Sequence, residues 1–215
     1  MVMYFCDAGI VVRRRCLRES DRLAVIYTRL HGKLEVNFKS AALARAKLKV
    51  LSEPLTWGDY RFYTRPGSPY PVCTGGSTLS VFPFLRSDME NLCMALHFSE
   101  LLSKLTPYNQ PNEDKYLLML GCLKYLNVRK TSAWIRPAFI LRLMETAGFG
   151  YKNTFVGIKA DIWDTLHAGA WEEVDSLPEN PPVFNSLNAI IDEFLAEHIP
   201  GAVKTEKIVA LSIPA

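Results

Sequence analysis

Positions 33–39 read Lys-Leu-Glu-Val-Asn-Phe-Lys. The alternation is strict, so in an extended chain Leu34, Val36 and Phe38 fall on one face while Lys33, Glu35, Asn37 and Lys39 fall on the other. A strand of this kind rests one face on a core and leaves the other in water. Similar signals flank it. Residues 9–13 form a β-branched run, and 22–29 (RLAVIYTR) form another, bounded by Glu19-Ser20-Asp21 and by His31-Gly32. Residues 45–51 repeat the alternation, which predicts a strand with Ala46, Leu48 and Val50 inward and Arg45, Lys47 and Lys49 outward. Residues 57–64 interleave Trp57, Tyr60, Phe62 and Tyr63 with Asp59 and Arg61, and 78–82 supply the last strand. Short strands crowded into the first 80 residues suit a small closed barrel. Residues 40–46 (SAALARA) have helix-forming composition and read as a loop or a helical turn. Residues 65–77 (RPGSPYPVCTGGS), rich in proline and glycine, read as a long loop or linker.

From Ser87 the period becomes helical. Ser87 and Glu90 have capping-box spacing, and Met89, Leu92, Cys93 and Leu96 recur at three and four residues, predicting a helix to about Leu105 before Thr106-Pro107. A second helix follows Asn112 and runs to Leu126, burying Tyr116, Leu117, Leu120 and Leu123. A third carries Pro137 in its first turn and buries Ile140, Leu141, Leu143, Met144 and Ala147, with Gly148 as its stop. A short helix at 161–168 precedes the clearest stripe, Leu187, Ile190, Ile191, Phe194, Leu195 and His198, which ends at Pro200-Gly201. A terminal helix is predicted over 204–211. The expected class is therefore α+β, with a barrel at 1–80 and an all-α helical domain at 81–215.

The 215 residues are 49% hydrophobic and 22% charged, the composition of a globular chain and not of a disordered or collagen-like one. No apolar stretch reaches the roughly 20 residues of a membrane-spanning helix. The apolar start is followed, not preceded, by Arg13, Arg14 and Arg15, the reverse of a secretory signal, so a cytoplasmic location is expected. Five scattered cysteines at 6, 16, 73, 93 and 122 do not form a disulfide framework, no C-x-x-C pair occurs, and no metal site or cofactor is expected.

Charge is segregated along the chain. Residues 1–50 hold eleven Lys and Arg against four acids, whereas 160–203 hold nine acids and no Lys or Arg. A basic barrel with aromatics nearby is the composition of a single-strand nucleic-acid platform, where cations meet phosphates and rings meet bases. The competing reading is a solvated surface that is merely basic. Phe38, Trp57 and Phe62 are assigned to the core instead of to stacking.

Catalytic patterns are weak. Gly75-Gly76-Ser77-Thr78 lacks the lysine of a phosphate-binding loop, and neither G-x-S-x-G nor H-E-x-x-H occurs. His97 and Glu100 share a helix face but read as partly buried structure. Glu172-Glu173 with Asp161 and Asp164 read as a solvated acidic face. No enzyme is indicated.

The order of features resembles the bacterial DNA repair and recombination protein RecO family. The resemblance rests on Gly9-Ile10-Val11-Val12, Arg18-Glu19-Ser20-Asp21-Arg22-Leu23, Tyr27-Thr28 and His31-Gly32-Lys33-Leu34, then on Leu51-Ser52-Glu53-Pro54-Leu55. In the second half it rests on Phe98-Ser99-Glu100-Leu101-Leu102 and on Arg142-Leu143-Met144-Glu145-Thr146-Ala147-Gly148-Phe149. Many members carry four cysteines after that last helix. Here Gly148 to Ser176 contains none, so the resemblance implies a zinc-free version.

What the resemblance implies is an OB-fold followed by a helical domain, acting as a non-enzymatic recombination mediator. Such proteins bind single- and double-stranded DNA, anneal complementary strands and help load recombinase on DNA coated by single-strand-binding protein. The implied partners are the RecR protein and the acidic C-terminal tail of single-strand-binding protein, and the implied location is cytoplasmic and nucleoid-associated. Arg14, Arg15, Arg22, Lys33, Lys39, Arg45, Lys47 and Lys49 are the expected phosphate contacts. Arg129, Lys130, Arg136 and Arg142 are the cations expected beside an apolar pocket for the tail. The alternatives are a basic OB-fold adaptor for RNA or protein without annealing activity, and an enzyme that a magnesium-dependent nuclease assay would expose.

Overall fold

The computed structural model describes residues 3–130, 132–149 and 160–199, together with Gly201, Val203 and Thr205. Their contacts group the chain into two compact units. One comprises residues 1–83 and 102–120, and the other 84–101 and 121–215.

In the first unit five strands, β1 (Met3–Cys16), β2 (Arg22–Thr28), β3 (Gly32–Phe38), β4 (Trp57–Thr64) and β5 (Val72–Ser80), close in the order β1-β2-β3-β5-β4. This is the OB-fold arrangement. Strand β1 serves two partners, pairing β4 from Met3 to Ile10 and β2 from Gly9 onward. A register shift between Val11 and Arg13 bends it, and such a bulge lets one long strand turn a barrel corner. Closure comes from the parallel contact of Asn37 with Val72. The inner face of β3 is as expected, with Leu34, Val36 and Phe38 buried beside Val11, Ala24, Ile26, Tyr60, Phe62 and Cys73 in the barrel core, but on its other face Glu35 and Asn37 are half-buried and Lys33 is buried. Gly32 is required twice over, because its φ is +70° and a Cβ there would lie 2.1 Å from the Gln110 carbonyl oxygen.

Two expectations for the strands are corrected. Residues 45–51 form no strand. They belong to a run of turns in which Ala46 N–H donates to Leu43 O, Lys49 N–H to Ala46 O and Ser52 N–H to Lys49 O, ending in a 3-10 turn at Val50–Ser52. The operative spacing is three, not two: Leu48 and Leu51 pack on the barrel core while Val50 is exposed. The last strand also begins at Val72, not at Thr78, so Gly75-Gly76 lie within a strand and not in a linker. A Cβ on Gly76 would lie 2.2 Å from Asp59 O, so the pairing of β5 with β4 needs the bare backbone that made the segment look like a loop.

The helices are α1 (Pro83–Ser87), α2 (Met89–Leu105), α3 (Glu113–Leu126), α4 (Ile135–Thr146), α5 (Ala160–Ala168), α6 (Trp171–Asp175) and α7 (Pro181–His198). Asp88, not Ser87, caps α2, accepting from the Asn91 N–H at 2.9 Å. Asn112 caps α3 and Asn180 caps α7 in the same way. Leu117, expected in the core, is exposed, and of the α7 stripe only Leu187, Ile191 and Leu195 are buried. The short helices α1 and α6 have no period long enough to be read in sequence. The helix expected over 204–211 lies outside the described residues.

In the second unit Phe98 of α2 stacks on Phe139 of α4 at 4.0 Å, and α4 is buried almost throughout. His97 is fully buried, with Nδ1 3.1 Å from Thr205 Oγ1, whose hydroxyl donates to Glu100 Oε2. Since that hydroxyl proton points at Glu100, the imidazole proton sits on Nδ1 and donates to Thr205. Burial, aided by the Arg136 charge, holds the His97 pKa at about 4, so the pair reads as structure and not as a reactive couple. Unfolded, this histidine titrates near 6.5 and binds a proton that the native state refuses. Stability is therefore full above about 6.5 and declines as pH falls toward 4, by up to about 1.4 kcal/mol per pH unit. Urea titrations of His97→Phe across this range should show a shallower pH slope than the native chain; an equal slope would refute the assignment.

Candidate nucleic-acid interface

The connection between β3 and β4, together with β4 and β5, lines an open groove of about 630 Å³. Its lining takes Lys39, Leu43, Arg45, Lys47, Leu48 and Leu51 from the connection, Arg61 from β4, and Thr74, Gly75 and Gly76 from β5. Among the described residues no acidic side chain lines it. The turn that presents Lys39 is tied down at Ser40, whose φ is +56° and whose N–H donates to Asp21 Oδ1 at 2.8 Å. Glycine at 75 makes room for Arg61, since a Cβ there would meet Nη2 at 3.2 Å. Four cations converging on a concave, acid-free surface lower the cost of bringing a phosphate chain close.

Three of the eight expected phosphate contacts, Lys39, Arg45 and Lys47, are thus brought together. Lys49 is half-buried beside them, and its carbonyl accepts from Ser52 Oγ and Arg22 Nη1. Arg14 and Arg15 lie at the surface in ion pairs, Arg14 Nε with Glu53 at 3.1 Å and Arg15 Nη2 with Glu35 at 3.1 Å.

Arg22 and Lys33 are withdrawn from the set. Arg22 is buried and donates to Ser52 Oγ at 3.0 Å and Glu53 Oε1 at 2.8 Å, riveting the connection to β2. Lys33 is buried too: its Nζ donates to Ser103 O at 2.6 Å and lies 4.1 Å from the centre of the Tyr108 ring, and burial lowers its pKa. Arg61 is the groove cation that charge counting in 1–50 missed, although its outward position in the Trp57–Thr64 alternation was visible. Of the aromatics, Phe38 and Phe62 are core, and Trp57 donates its Nε1–H to Tyr116 OH at 2.9 Å.

In the helical unit a shallower pocket of about 270 Å³ is lined by Lys124, Tyr125, Val128, Arg129, Trp171 and Glu172, with Gly121 at its base. The Arg129 guanidinium lies 5.5 Å from the Tyr125 ring centre. Lys130 is exposed but outside this lining. Arg136 and Arg142 are corrected, because both spend their donors on the fold. Arg136 is buried and bonds Asn188 and Asp192 of α7. Arg142 donates to the carbonyls of Leu166, Thr165 and Gly169, capping the end of α5, while its guanidinium lies 4.4 Å from the centre of the Trp171 ring. Glu173 is exposed, as expected of a solvated acidic face, and also accepts from the Ala170 N–H at the start of α6.

Comparison with known proteins gives a consistent result. Residues 1–82 match the family model described as the N terminal part of recombination protein O, and 86–153 match that of its C terminal part. The DNA repair protein RecO of Pelotomaculum thermopropionicum is 31% identical over 149 residues, covering 69% of this chain and 57% of that protein. The DNA repair protein RecO of Clostridium perfringens is 28% identical over 147 residues, 68% of this chain and 59% of that protein. The alignments thus span less than two thirds of the length of these relatives.

Proposed function

This chain belongs to the RecO family of DNA repair proteins, and from that premise we propose that it is a recombination mediator whose basic groove holds single-stranded DNA, anneals complementary strands and helps load recombinase on DNA coated by single-strand-binding protein. The observation that carries this reading is the convergence of Lys39, Arg45, Lys47 and Arg61 on one acid-free surface. Annealing needs no covalent chemistry. Two phosphate chains repel, and a surface that neutralises several phosphates and releases their counterions reduces that repulsion while leaving base edges free to pair. Contacts of this kind also accept duplex DNA, whose phosphates release their counterions in the same way. Among the described residues no helix is long and apolar enough to cross a membrane, and a nucleoid-associated location follows from the DNA ligand.

The deciding experiment mixes complementary fluorescent oligonucleotides, bare and coated with single-strand-binding protein, at two salt concentrations. Salt-sensitive acceleration of pairing, persisting on coated strands, is the expected result. Binding without acceleration would favour an adaptor, and cleavage in magnesium an enzyme.

For partners we propose RecR and the acidic tail of single-strand-binding protein. The pocket of Tyr125, Val128 and Trp171 beside Lys124 and Arg129 offers the tail an apolar seat with cations at its rim. Arg129→Ala should weaken a labelled tail peptide about fivefold in fluorescence anisotropy, the size of one exposed charge-assisted contact. Equal affinity would remove Arg129 from that role.

A further inference from the structure

Beyond the groove, the outer face of the barrel carries two tyrosines that no core residue explains. Strands β1 and β4 pair with Tyr4 opposite Tyr63 and Cys6 opposite Arg61. Alternation then sets Tyr4 and Cys6 beside Tyr63 and Arg61 on one outward face, while Asp7, Tyr60 and Phe62 turn inward. The rings of Tyr4 and Tyr63 touch, with centroids 4.9 Å apart, and Tyr4 is 71% exposed. Thr64 Oγ1 donates to Met3 O at 3.3 Å and fixes the register next to the pair. Arg61 lies two residues from Tyr63 and is itself a wall of the basic groove, so the cationic path leads onto the rings. The outward acid of β4, Asp59, stands on the other side of Arg61 from them.

We propose that Tyr4 and Tyr63 form a stacking platform for unpaired bases of the single-stranded DNA whose phosphates run along the groove, an inference that rests on the groove reading above. The argument is one of complementarity. A strand led by phosphates past Arg61 brings its bases toward the neighbouring exposed rings, and every base has a face that an aromatic ring accepts without regard to sequence. A duplex hides those faces, so the platform also supplies a reason to prefer single strands, which cations alone do not.

The test uses the full chain, an oligonucleotide, the same backbone without bases, and a duplex. Replacing both rings (Tyr4→Ala with Tyr63→Ala) should weaken the ordinary single strand about tenfold. Affinity for the abasic strand and the duplex should stay unchanged, as should the salt slope, and phenylalanine at both positions should restore binding. Unchanged single-strand affinity, or an equal loss on the abasic strand, would overturn the proposal. If the double variant fails to fold, Tyr4→Ala alone is read by the same criteria, since that ring is mostly in solvent. Failure of the groove reading looks different: the native chain would then bind no strand in a salt-dependent way. Failure of the platform alone leaves salt-dependent binding that ignores the bases.

Discussion

Reversing Lys39, Arg45 and Lys47 together to glutamate is expected to weaken single-stranded DNA binding by about a hundredfold at low salt. Each phosphate contact to a single strand contributes about 0.7 to the slope of log affinity against log salt, so losing three should flatten that slope by about 2. All three side chains are exposed and line the groove, so the loss should come without loss of folding. Arg18→Glu, which changes an exposed cation outside the groove lining, is the control and should cost little. Anisotropy titrations at four salt concentrations read both quantities. A slope equal to that of the native chain would mean that these cations do not meet phosphates.

Arg22→Ala is the second large effect, and it falls on stability. The arginine side chain is 9% exposed and bonds Ser52 and Glu53, while Glu53 also pairs Arg14. Removing the buried cation leaves the Ser52 hydroxyl and the Glu53 carboxylate without their shared donor. The expected loss is about 3 kcal/mol, at the low end for breaking a buried pair because Glu53 keeps partial contact with water. The barrel transition should fall by about 10 °C in calorimetry. DNA affinity measured well below that transition should weaken only as far as the 39–56 connection loosens. A large loss of affinity with an unchanged transition would return Arg22 to the phosphate contacts and refute its structural role.

These two variants mark where sequence reading succeeded and where it stopped. Alternation located β3 and β4 nearly to the residue because period two encodes an apolar inner face directly, whereas β2, buried along its whole length, was legible from its β-branched run between two turns. It misled at 45–51, where alternating small and basic residues imitate a strand but turn bonds at spacing three bring Leu48 and Leu51 inward. It was silent at Gly75-Gly76, because a strand built around a close backbone approach has the composition of a loop. The helix periods of α2, α3 and α4 were legible for the same reason as the strands. Their exact faces were less so: Leu117 is apolar on the page and exposed in the fold.

Charge composition by itself determined that this chain has a basic barrel, and the ordered motifs determined its resemblance to the RecO family. Neither could separate a cation that meets solvent from one that meets a carboxylate. Arg22, Lys33, Arg136 and Arg142 look like their neighbours in sequence, yet each is held by a partner 24 to 70 residues away along the chain: Glu53, Ser103, Asp192 and Leu166. Only the tertiary structure decided which lysines and arginines remain for a ligand, because burial and pairing are set by contacts between distant residues, and local sequence carries no record of them.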